Sequence, residues 1–305
     1  MSAEPASADS KRLSFVSFGE ALWDMLPDGP LLGGAPLNLA YRIVELGHRA
    51  ELVSAVGSDE LGDRALERIR ELGLSTRFVQ QHPDLPTGSV LISFRDDGEP
   101  EYEIVAPVAY DAVALDGRWS EALGDVDCVC YGTLARRNQL SSSSLAELLE
   151  KVNSKERFCD VNLRPACYSP RSVIESIEAA TVAKLNSEEL REVSVMAGIG
   201  VSKERRGMMH ALMKRFPNLR ALVVTLGSEG ASALERGGKV VSLPVPPVRV
   251  VDPCGAGDAF AAAFLIAYLS GSSLVEAVEA GNRRGALAAA RRGATDPIRV
   301  ELENR

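Results

Sequence analysis

Short apolar runs alternate with longer amphipathic stretches along most of this 305-residue chain. The short runs have the composition of β-strands, whereas the stretches between them repeat apolar residues at helical spacing. Near-continuous apolar strands that alternate with helices predict an α/β fold, with a mainly parallel sheet covered on both faces. The predicted strands are LSFVSF (13–18), ELVSAV (51–56), DCVCYG (127–132), RFCDVN (157–162), TVAKLN (181–186) and ALVVTL (221–226).

Three amphipathic stretches show clear helix ends. LNLAYRIVEL ends just before Gly47, and ELGDRALERIREL ends just before Gly73. Glycine directly after the last periodic residue is the usual helix stop. The third stretch, SLAELLEKV, follows a run of serines that suits helix capping. These patterns predict helices between the first four strands.

Two segments predict β-hairpins instead. TGSVLISFRDDGEPEYEIVAP (87–107) alternates apolar and polar residues on both sides of Asp97-Gly98, and GASALERGGKVVSL turns at Gly237-Gly238. The first hairpin lies between two α/β stretches, which indicates a small β insertion. We therefore expect a flexible tail over 1–12 and one domain over 13–305, with the insertion at about 85–110.

Composition narrows the function classes. A net charge of −8 argues against a general nucleic-acid or anionic-membrane surface. The longest apolar run, from Ala259 to Leu269, has eleven residues and is too short to span a bilayer. The polar N-terminus carries no signal-peptide pattern, so we expect a cytoplasmic protein. The five cysteines contain no C-x-x-C pair, and buried, reduced thiols are expected: Cys128, Cys130, Cys159, Cys167 and Cys254.

The sequence GAGD (255–258) is predicted to open an apolar helix. The first amides of a helix lack intrahelical partners and form an anion site. A carboxylate there is expected to keep a low pKa unless burial opposes it. Asp258 has two interpretations: it caps an amide, or it accepts a proton while the amides hold a phosphate. A dinucleotide fingerprint is excluded because Phe260 stands where its third glycine belongs, and no Walker A loop occurs.

Further polar or glycine clusters follow most of the predicted strands, so that they should share the carboxyl edge of the sheet. Each also has a structural interpretation, as a capping amide, a turn, a surface ion pair or ordinary helix-dipole chemistry. Asp160, Asn162 and Arg164 alternate in FCDVNLRP and are expected to point to one side of an extended backbone. The other clusters are Glu20 with Asp24, Gly33-Gly34 with Asn38, Asn186 with Glu189, and Thr225 with Gly227 and Gly230.

LGGAPLNLAYRIVELG and VVDPCGAGDAFAAAFL resemble the two signature regions of the ribokinase-like (PfkB) carbohydrate kinases. FGEALWD, FCDVNLRP, KLNSEEL and VVTLGSEGA fall where that family places its substrate and nucleotide segments. The similarity extends from Leu13 to about Pro297 and is most evident to bacterial fructokinases. It implies a three-layer ribokinase-like sandwich with a small β-lid, and an ATP-dependent kinase that phosphorylates a sugar hydroxyl.

The resemblance also implies roles for individual residues. Asp258 matches the catalytic base, and Gly255, Ala256 and Gly257 match the anion hole. Asp24, Gly33, Gly34 and Asn38 match sugar-binding positions, to which the polar pattern adds Asn162 and Arg164. Asn186 and Glu189 match the motif associated with Mg²⁺ and phosphate. Thr225, Gly227, Gly230 and Asn282 match nucleotide positions, and the 87–106 hairpin matches part of a lid that often forms a homodimer contact.

One departure concerns the residues before GAGD. The family pattern D-T-T is replaced by Asp252-Pro253-Cys254, which removes hydroxyl groups from a K⁺ site that the resemblance implies. Ala288, Arg291 and Gly293 match other positions of that site. Cys254 beside the active site also suggests that the enzyme is sensitive to thiol reagents.

Several functions compete. The leading hypothesis is a fructokinase. A kinase for 2-keto-3-deoxygluconate, or less directly for ribose or a nucleoside, is the nearest alternative, because Arg136, Arg137 or Arg164 could bind a substrate carboxylate. A catalytically silent sugar- or nucleotide-binding regulator is a third hypothesis, although it would not need to keep Asp258. A dehydrogenase is disfavoured by the missing dinucleotide fingerprint.

Overall fold

A computed structural model describes residues 12–94, 100–115, 118–202 and 204–298. The expected tail and the Asp97-Gly98 turn therefore lie outside the described residues, apart from Arg12. The described residues form two sheets, one of nine strands and one of four. The strands are β1 (Ser14–Phe18), β2 (Leu22–Leu26), β3 (Gly29–Gly33), β4 (Arg49–Gly57), β5 (Val79–His82), β6 (Gly88–Phe94), β7 (Pro100–Ile104), β8 (Val126–Gly132), β9 (Ser154–Asp160), β10 (Val182–Asn186), β11 (Ala221–Thr225), β12 (Ala231–Glu235) and β13 (Val241–Leu243).

The nine-stranded sheet has the order β13-β12-β11-β10-β9-β8-β1-β4-β5. Its strands run parallel from β11 to β5 in this order. Strand β12 pairs antiparallel with β11, and β13 pairs antiparallel with β12. The expectation of a mainly parallel sheet is confirmed, as is the hairpin around Gly237-Gly238. All six strands predicted from apolar runs belong to this sheet, although β9 ends at Asp160 rather than Asn162.

Helices cover both faces of this sheet, which gives the three-layer arrangement. Neighbouring residues of a strand point to opposite faces, so Phe15 joins one apolar core and Val16 the other. Helices α1, α2, α8 and α9 pack on the first face, and α3 to α7 on the second. The helices are α1 (Ala35–Glu45), α2 (Glu60–Glu71), α3 (Arg118–Leu123), α4 (Gln139–Lys151), α5 (Pro170–Ala179), α6 (Ser187–Met196), α7 (Arg205–Arg215), α8 (Ala256–Leu269) and α9 (Leu274–Ala289).

The start of one helix was predicted wrongly, and two strands of the small sheet were missed. Helix α4 begins before the serine run, because the side chain of Asn138 accepts the amide of Leu140 and caps the helix earlier. The hairpin predicted within the β insertion is present as β6–β7, and it joins β2 and β3 in a sheet of order β3-β2-β6-β7. The short segments that form β2 and β3 contain glycine and proline, and their pattern gave no strand signal.

The burial of helix α8 explains why its sequence is almost entirely apolar. Its first half is buried on all sides, and it lies against both α1 and α9. Phe260, Phe264 and Tyr268 stack at helical spacing along one side. Across the described residues, every helix is too short or too polar to cross a membrane.

Candidate active site

A cavity of about 450 Å³ opens where the carboxyl ends of the large sheet meet the small sheet and the start of α8. Three of the polar clusters that follow the strands in sequence meet there, namely those of Glu20 with Asp24, Gly33-Gly34 with Asn38, and Asp160 with Asn162 and Arg164. Its lining includes Glu20, Asp24, Gly33, Gly34, Asn38, Asp160, Asn162, Arg164, Lys184, Asp252, Cys254, Gly255, Gly257, Asp258 and Gly293.

Asp258 lies in the first turn of α8 and is only 9% exposed. Its Oδ2 accepts a hydrogen bond of 2.9 Å from Nδ2 of Asn38. The expectation of a low pKa was wrong, since burial raises the pKa of Asp258 to about 6. The negative charge of Asp160 adds to this rise, while the Asn38 hydrogen bond and Lys184 oppose it. Desolvation outweighs the helix dipole here.

Asn38 reaches Asp258 from the first turns of α1. The preceding Gly34 has φ 113°, and a side chain there would collide with the carbonyl of Glu20, so the Gly33-Gly34 pair permits a close approach. Oδ1 of Asn38 is buried and has no hydrogen-bond partner in the described structure. Leaving a buried acceptor unpaired costs free energy, so a hydrogen-bond donor on a ligand would stabilise this oxygen.

Two further carboxylates border the cavity. Glu20 accepts the amide of Ala35 through Oε1, whereas its buried Oε2 has no partner among the described residues. Burial raises the pKa of Glu20 to about 7 and also raises the pKa of Asp24. Asp24 lies within β2 and faces the cavity from the small sheet.

Asp160 and Lys184 form a buried ion pair in the cavity wall. Nζ of Lys184 donates to Oδ1 and Oδ2 of Asp160, at 2.9 and 2.8 Å. The two residues are register partners on β9 and β10. Sequence reasoning missed Lys184, although a lysine inside the apolar strand TVAKLN was the available signal.

Asn162 and Arg164 line the cavity beside Asp160, but not through an extended backbone as expected. Strand β9 ends at Asp160, and Asn162 adopts φ 40°. Asparagine tolerates this left-handed conformation better than most residues, so the chain turns here. Arg164 is exposed, and its charge acts on Glu20, Asp24 and Asp258.

The residues before Asp258 form the helix start that the sequence predicted. Gly255 has φ 73°, and a Cβ there would lie 2.6 Å from Cα of Ala294, so only glycine fits. The amide of Ala256 donates to the carbonyl of Pro253 at 3.2 Å, so that it takes part in the turn rather than pointing freely at a ligand. The anion hole that the resemblance implies at Gly255 and Gly257 stays a prediction.

Asn186 and Glu189 form a capping box at the start of α6. Oδ1 of Asn186 accepts the amides of residues 188 and 189, and Oε2 of Glu189 accepts the amide of Asn186. Oε1 of Glu189 accepts the amide of Leu163. Each carboxylate oxygen keeps a second lone pair, and burial raises the pKa of Glu189. The pair thus has the structural role that its sequence also allowed.

A second cavity of about 440 Å³ lies on the other side of Gly257. Its wall is mostly apolar, and the positions expected to contact a nucleotide lie together in it. The lining includes Thr225, Gly227, Gly230, Val245, Val248, Gly257, Phe260, Asn282, Gly285 and Ala286. Asn282 donates to the carbonyls of Leu243 and Pro244, which fixes the segment beside the cavity. Gly257 lines both cavities, so the two meet next to Asp258.

The residues expected at a K⁺ site are brought together in part. Oδ1 of Asp252 accepts the amide of Cys254, and Oδ2 accepts the amide of Gly293, both at 2.9 Å. The carbonyl of Ala288 accepts the amide of Arg291. Asp252 therefore ties the segment before GAGD to the segment after α9.

The cysteines are only partly buried, contrary to expectation. Cys128, Cys130 and Cys159 are buried, but Cys167 is half-buried and Cys254 is exposed, and all five are free thiols. Sγ of Cys130 lies 3.7 Å from Sγ of Cys128, so the two do point to one face of β8. Partial desolvation and the charge of Asp252 raise the pKa of Cys254 to about 11.

Comparison with known proteins gives a consistent result. A family model described as pfkB family carbohydrate kinase matches residues 31–301. The fructokinase of Escherichia coli is 29% identical over 312 residues, which cover 94% of this chain and 97% of that protein. At the level of fold, the ATP-bound fructokinase of Xylella fastidiosa has a TM-score of 0.79 at 23% identity and covers 92% of this chain and 94% of its own. A fructokinase double mutant of Vibrio cholerae, solved with fructose, ADP and potassium ion, has a TM-score of 0.80 at 22% identity. The match covers 95% of this chain and 96% of that chain.

Proposed function

We propose that this protein phosphorylates fructose with ATP. The premise is that the chain belongs to the pfkB family of carbohydrate kinases and is thus a phosphotransferase with an alcohol acceptor. One observation carries the proposal. A polar cavity and a mostly apolar cavity meet at Gly257, directly beside the buried carboxylate of Asp258. This arrangement suits a sugar on one side, a nucleotide on the other, and phosphoryl transfer between them.

Asp258 is the proposed general base. With its pKa raised to about 6, it is ionised at neutral pH and yet more basic than an ordinary aspartate. Asn38 orients the carboxylate through its hydrogen bond, so that the other oxygen can accept a hydroxyl proton. The helix start at Gly255 and Gly257 offers amide donors and the positive end of the α8 dipole to an anion.

The first cavity offers acceptors to its ligand. Oδ1 of Asn38 and Oε2 of Glu20 are buried and have no hydrogen-bond partner in the part of the chain that the structure describes. The carboxylate of Asp24 borders the same space. A neutral sugar supplies several hydroxyl donors, and this match supports fructose. A second candidate, 2-keto-3-deoxygluconate, is favoured by Arg164, which lines the cavity, is exposed, and is suited to a carboxylate. The E. coli and Vibrio relatives named fructokinase support the first.

The cofactors are proposed on the same basis. The mostly apolar cavity, with small residues at Gly227, Gly230 and Gly285, suits a flat nucleotide base. When bound, Mg-ATP supplies the phosphoryl group and its charge neutralisation. Glu189 would hold the Mg²⁺ ion through water, because both of its oxygens already accept backbone amides. A K⁺ ion near Asp252 would rest on backbone carbonyls, since the carboxylate is used within the protein.

Assembly and location complete the proposal. The small sheet has β3 and β7 as edge strands, and an unpaired edge favours pairing with a second copy, so a homodimer through the β-lid is expected. A kinase that uses ATP and free sugar is expected in the cytoplasm.

The test is a coupled ADP-release assay with Mg-ATP and a panel of fructose, 2-keto-3-deoxygluconate, ribose and adenosine. The proposal predicts the highest kcat/KM with fructose. Highest turnover with another member would keep the kinase mechanism and replace the substrate. ATP binding without sugar-dependent ADP release would contradict the proposed reaction with these acceptors and favour a binding regulator.

A further inference from the structure

The junction of the two cavities lies against a buried cation. A Cβ placed on Gly257 would lie 3.4 Å from Nζ of Lys184, with the neighbouring Cε at 3.9 Å. Lys184 is 7% exposed and also lines the first, polar cavity, called the sugar-side cavity below because it is the proposed sugar site. Its ammonium group therefore lies at the point where the proposed sugar and nucleotide sites meet.

The hydrogen bonds of Lys184 leave one donor uncommitted. Two of its three N–H groups bind the oxygens of Asp160, and no further acceptor is found among the described residues. Burial lowers the pKa of Lys184, but the charge and hydrogen bonds of Asp160 outweigh burial and raise it overall. Lys184 thus stays charged throughout the neutral pH range.

Stability alone gives a weak reason for this buried ion pair. Burying two charges is expensive, and apolar residues of similar volume are often equally stable or more stable. Phosphoryl transfer, in contrast, requires fixed positive charge close to the oxygens of the moving group. Asp160 supplies the counter-charge that keeps Lys184 ionised and pointed at Gly257.

We propose that Lys184 is a catalytic residue whose Nζ, next to Gly257, contacts the transferring phosphoryl group. Asp160 is the residue that positions Lys184. This inference rests on the proposed function, because it requires the phosphoryl group to pass at the junction of the cavities. It assigns a role to a side chain that lies outside the GAGD segment.

The test compares Lys184→Met, Lys184→Arg, Asp160→Asn and the double variant Lys184→Met/Asp160→Asn. The double variant matters because Lys184→Met alone leaves Asp160 buried and unpaired, which threatens folding. Lys155→Met is the matched control, since Lys155 pairs with Asp127 at 2.7 Å and is 65% exposed. The readouts are kcat and, without any sugar, the affinities for Mg-ATP and Mg-ADP by calorimetry.

If Lys184 contacts the phosphoryl group, the double variant and Lys184→Met lose roughly 10²–10³-fold in kcat, as for removal of one transition-state donor. ATP affinity falls roughly 10-fold or more, while ADP affinity stays within about twofold. Lys184→Arg retains part of the wild-type kcat and part of the ATP affinity. Asp160→Asn loses less of each than Lys184→Met does.

Wild-type kcat and ATP affinity in the folded double variant would overturn the inference, because the pair would then serve packing alone. An equal loss for ATP and ADP would also overturn it. If the wild type phosphorylates no sugar, the proposed function fails, but the comparison of ATP with ADP still decides the role of Lys184. Loss of turnover in Asp258→Asn with ATP affinity kept separates the base from the cation.

Discussion

Asn38 and Asp258 lie 220 positions apart in the sequence and are joined by a hydrogen bond of 2.9 Å. Asn38 belongs to α1 and Asp258 to α8, and the packing of these two helices brings the side chains together. The amide group of Asn38 orients the carboxylate and favours its ionised form against the effect of burial. The double-glycine segment and the GAGD segment are therefore two parts of one site.

This relationship predicts a pH effect. Asp258 accepts a proton only when it is ionised, so kcat/KM should fall as the pH drops through about 6, the raised pKa of Asp258. Asn38→Ala removes a hydrogen bond to the charged form, which raises this pKa further. The acid limb of the pH profile should then move up by about one pH unit. Measured kcat/KM between pH 4.5 and 9 checks this, and an unmoved limb would mean that the Asn38 bond does not control ionisation.

Glu20 predicts a pH-dependent stability. Its pKa is raised from 4.5 to about 7 in the folded protein, so the folded state binds the proton more tightly than the unfolded state. Its contribution to stability is fully present below about pH 4.5 and is lost as the pH rises to 7. The loss amounts to about 3 kcal/mol. Glu20→Gln removes this dependence and can still accept the amide of Ala35.

Urea unfolding of the wild type and Glu20→Gln at pH 5 and pH 8 measures the effect. The variant should gain stability relative to the wild type as the pH rises. An equal difference at both pH values would show that the Glu20 carboxyl is not held in its neutral form.

The two glycines before Asp258 should respond differently to alanine. Gly255→Ala places a side chain at φ 73° and against Ala294, so it should cost about 2 kcal/mol or more of stability. The Cβ of Gly257→Ala meets, among the described residues, only the end of the Lys184 side chain, with Nζ at 3.4 Å, so the variant should keep or increase helix stability. Its methyl group occupies the junction of the cavities, however, so kcat should fall roughly 10-fold or more. Thermal unfolding and ADP release separate the two effects, and full activity of Gly257→Ala would contradict the placement of the phosphoryl group.

Cys254 is exposed in the sugar-side cavity, but its pKa of about 11 disfavours the thiolate. Iodoacetamide should therefore label it slowly at pH 7 and faster with each pH unit up to about 11. Because the added group occupies the cavity, activity loss should follow labelling of Cys254, as measured by peptide mass spectrometry. Cys254→Ser should resist inactivation. Retained activity in fully labelled enzyme would show that Cys254 lies clear of the substrate.

The sequence predicted the large sheet well, because buried parallel strands form apolar runs that local composition reveals. Strands β2 and β3 escaped prediction, since LWDML and GPLLG show no sustained alternation. They pair with each other, and β2 also pairs with the distant β6. Asp24 was consequently identified as a site residue without being placed in the small sheet.

The site was predictable as a set of positions, but its electrostatics were not. A carboxylate at a helix start indicates a low pKa, and only the fold shows that Asp258 is buried beside Asp160. The same holds for Lys184 on β10, since only the fold shows that it lies next to Gly257 in the first turn of α8. Potassium dependence, the homodimer and the single-domain organisation stay predictions.

The most direct test of the account is the kcat of Asp258→Asn with fructose and Mg-ATP. The matched control is Asp63→Asn, which changes an exposed aspartate in the first turn of α2. Loss of a general base should lower kcat by roughly 10²–10⁴-fold in Asp258→Asn, with folding intact and Asp63→Asn close to wild type. A folded Asp258→Asn protein that phosphorylates fructose at the wild-type rate would contradict the assignment of Asp258 as the base.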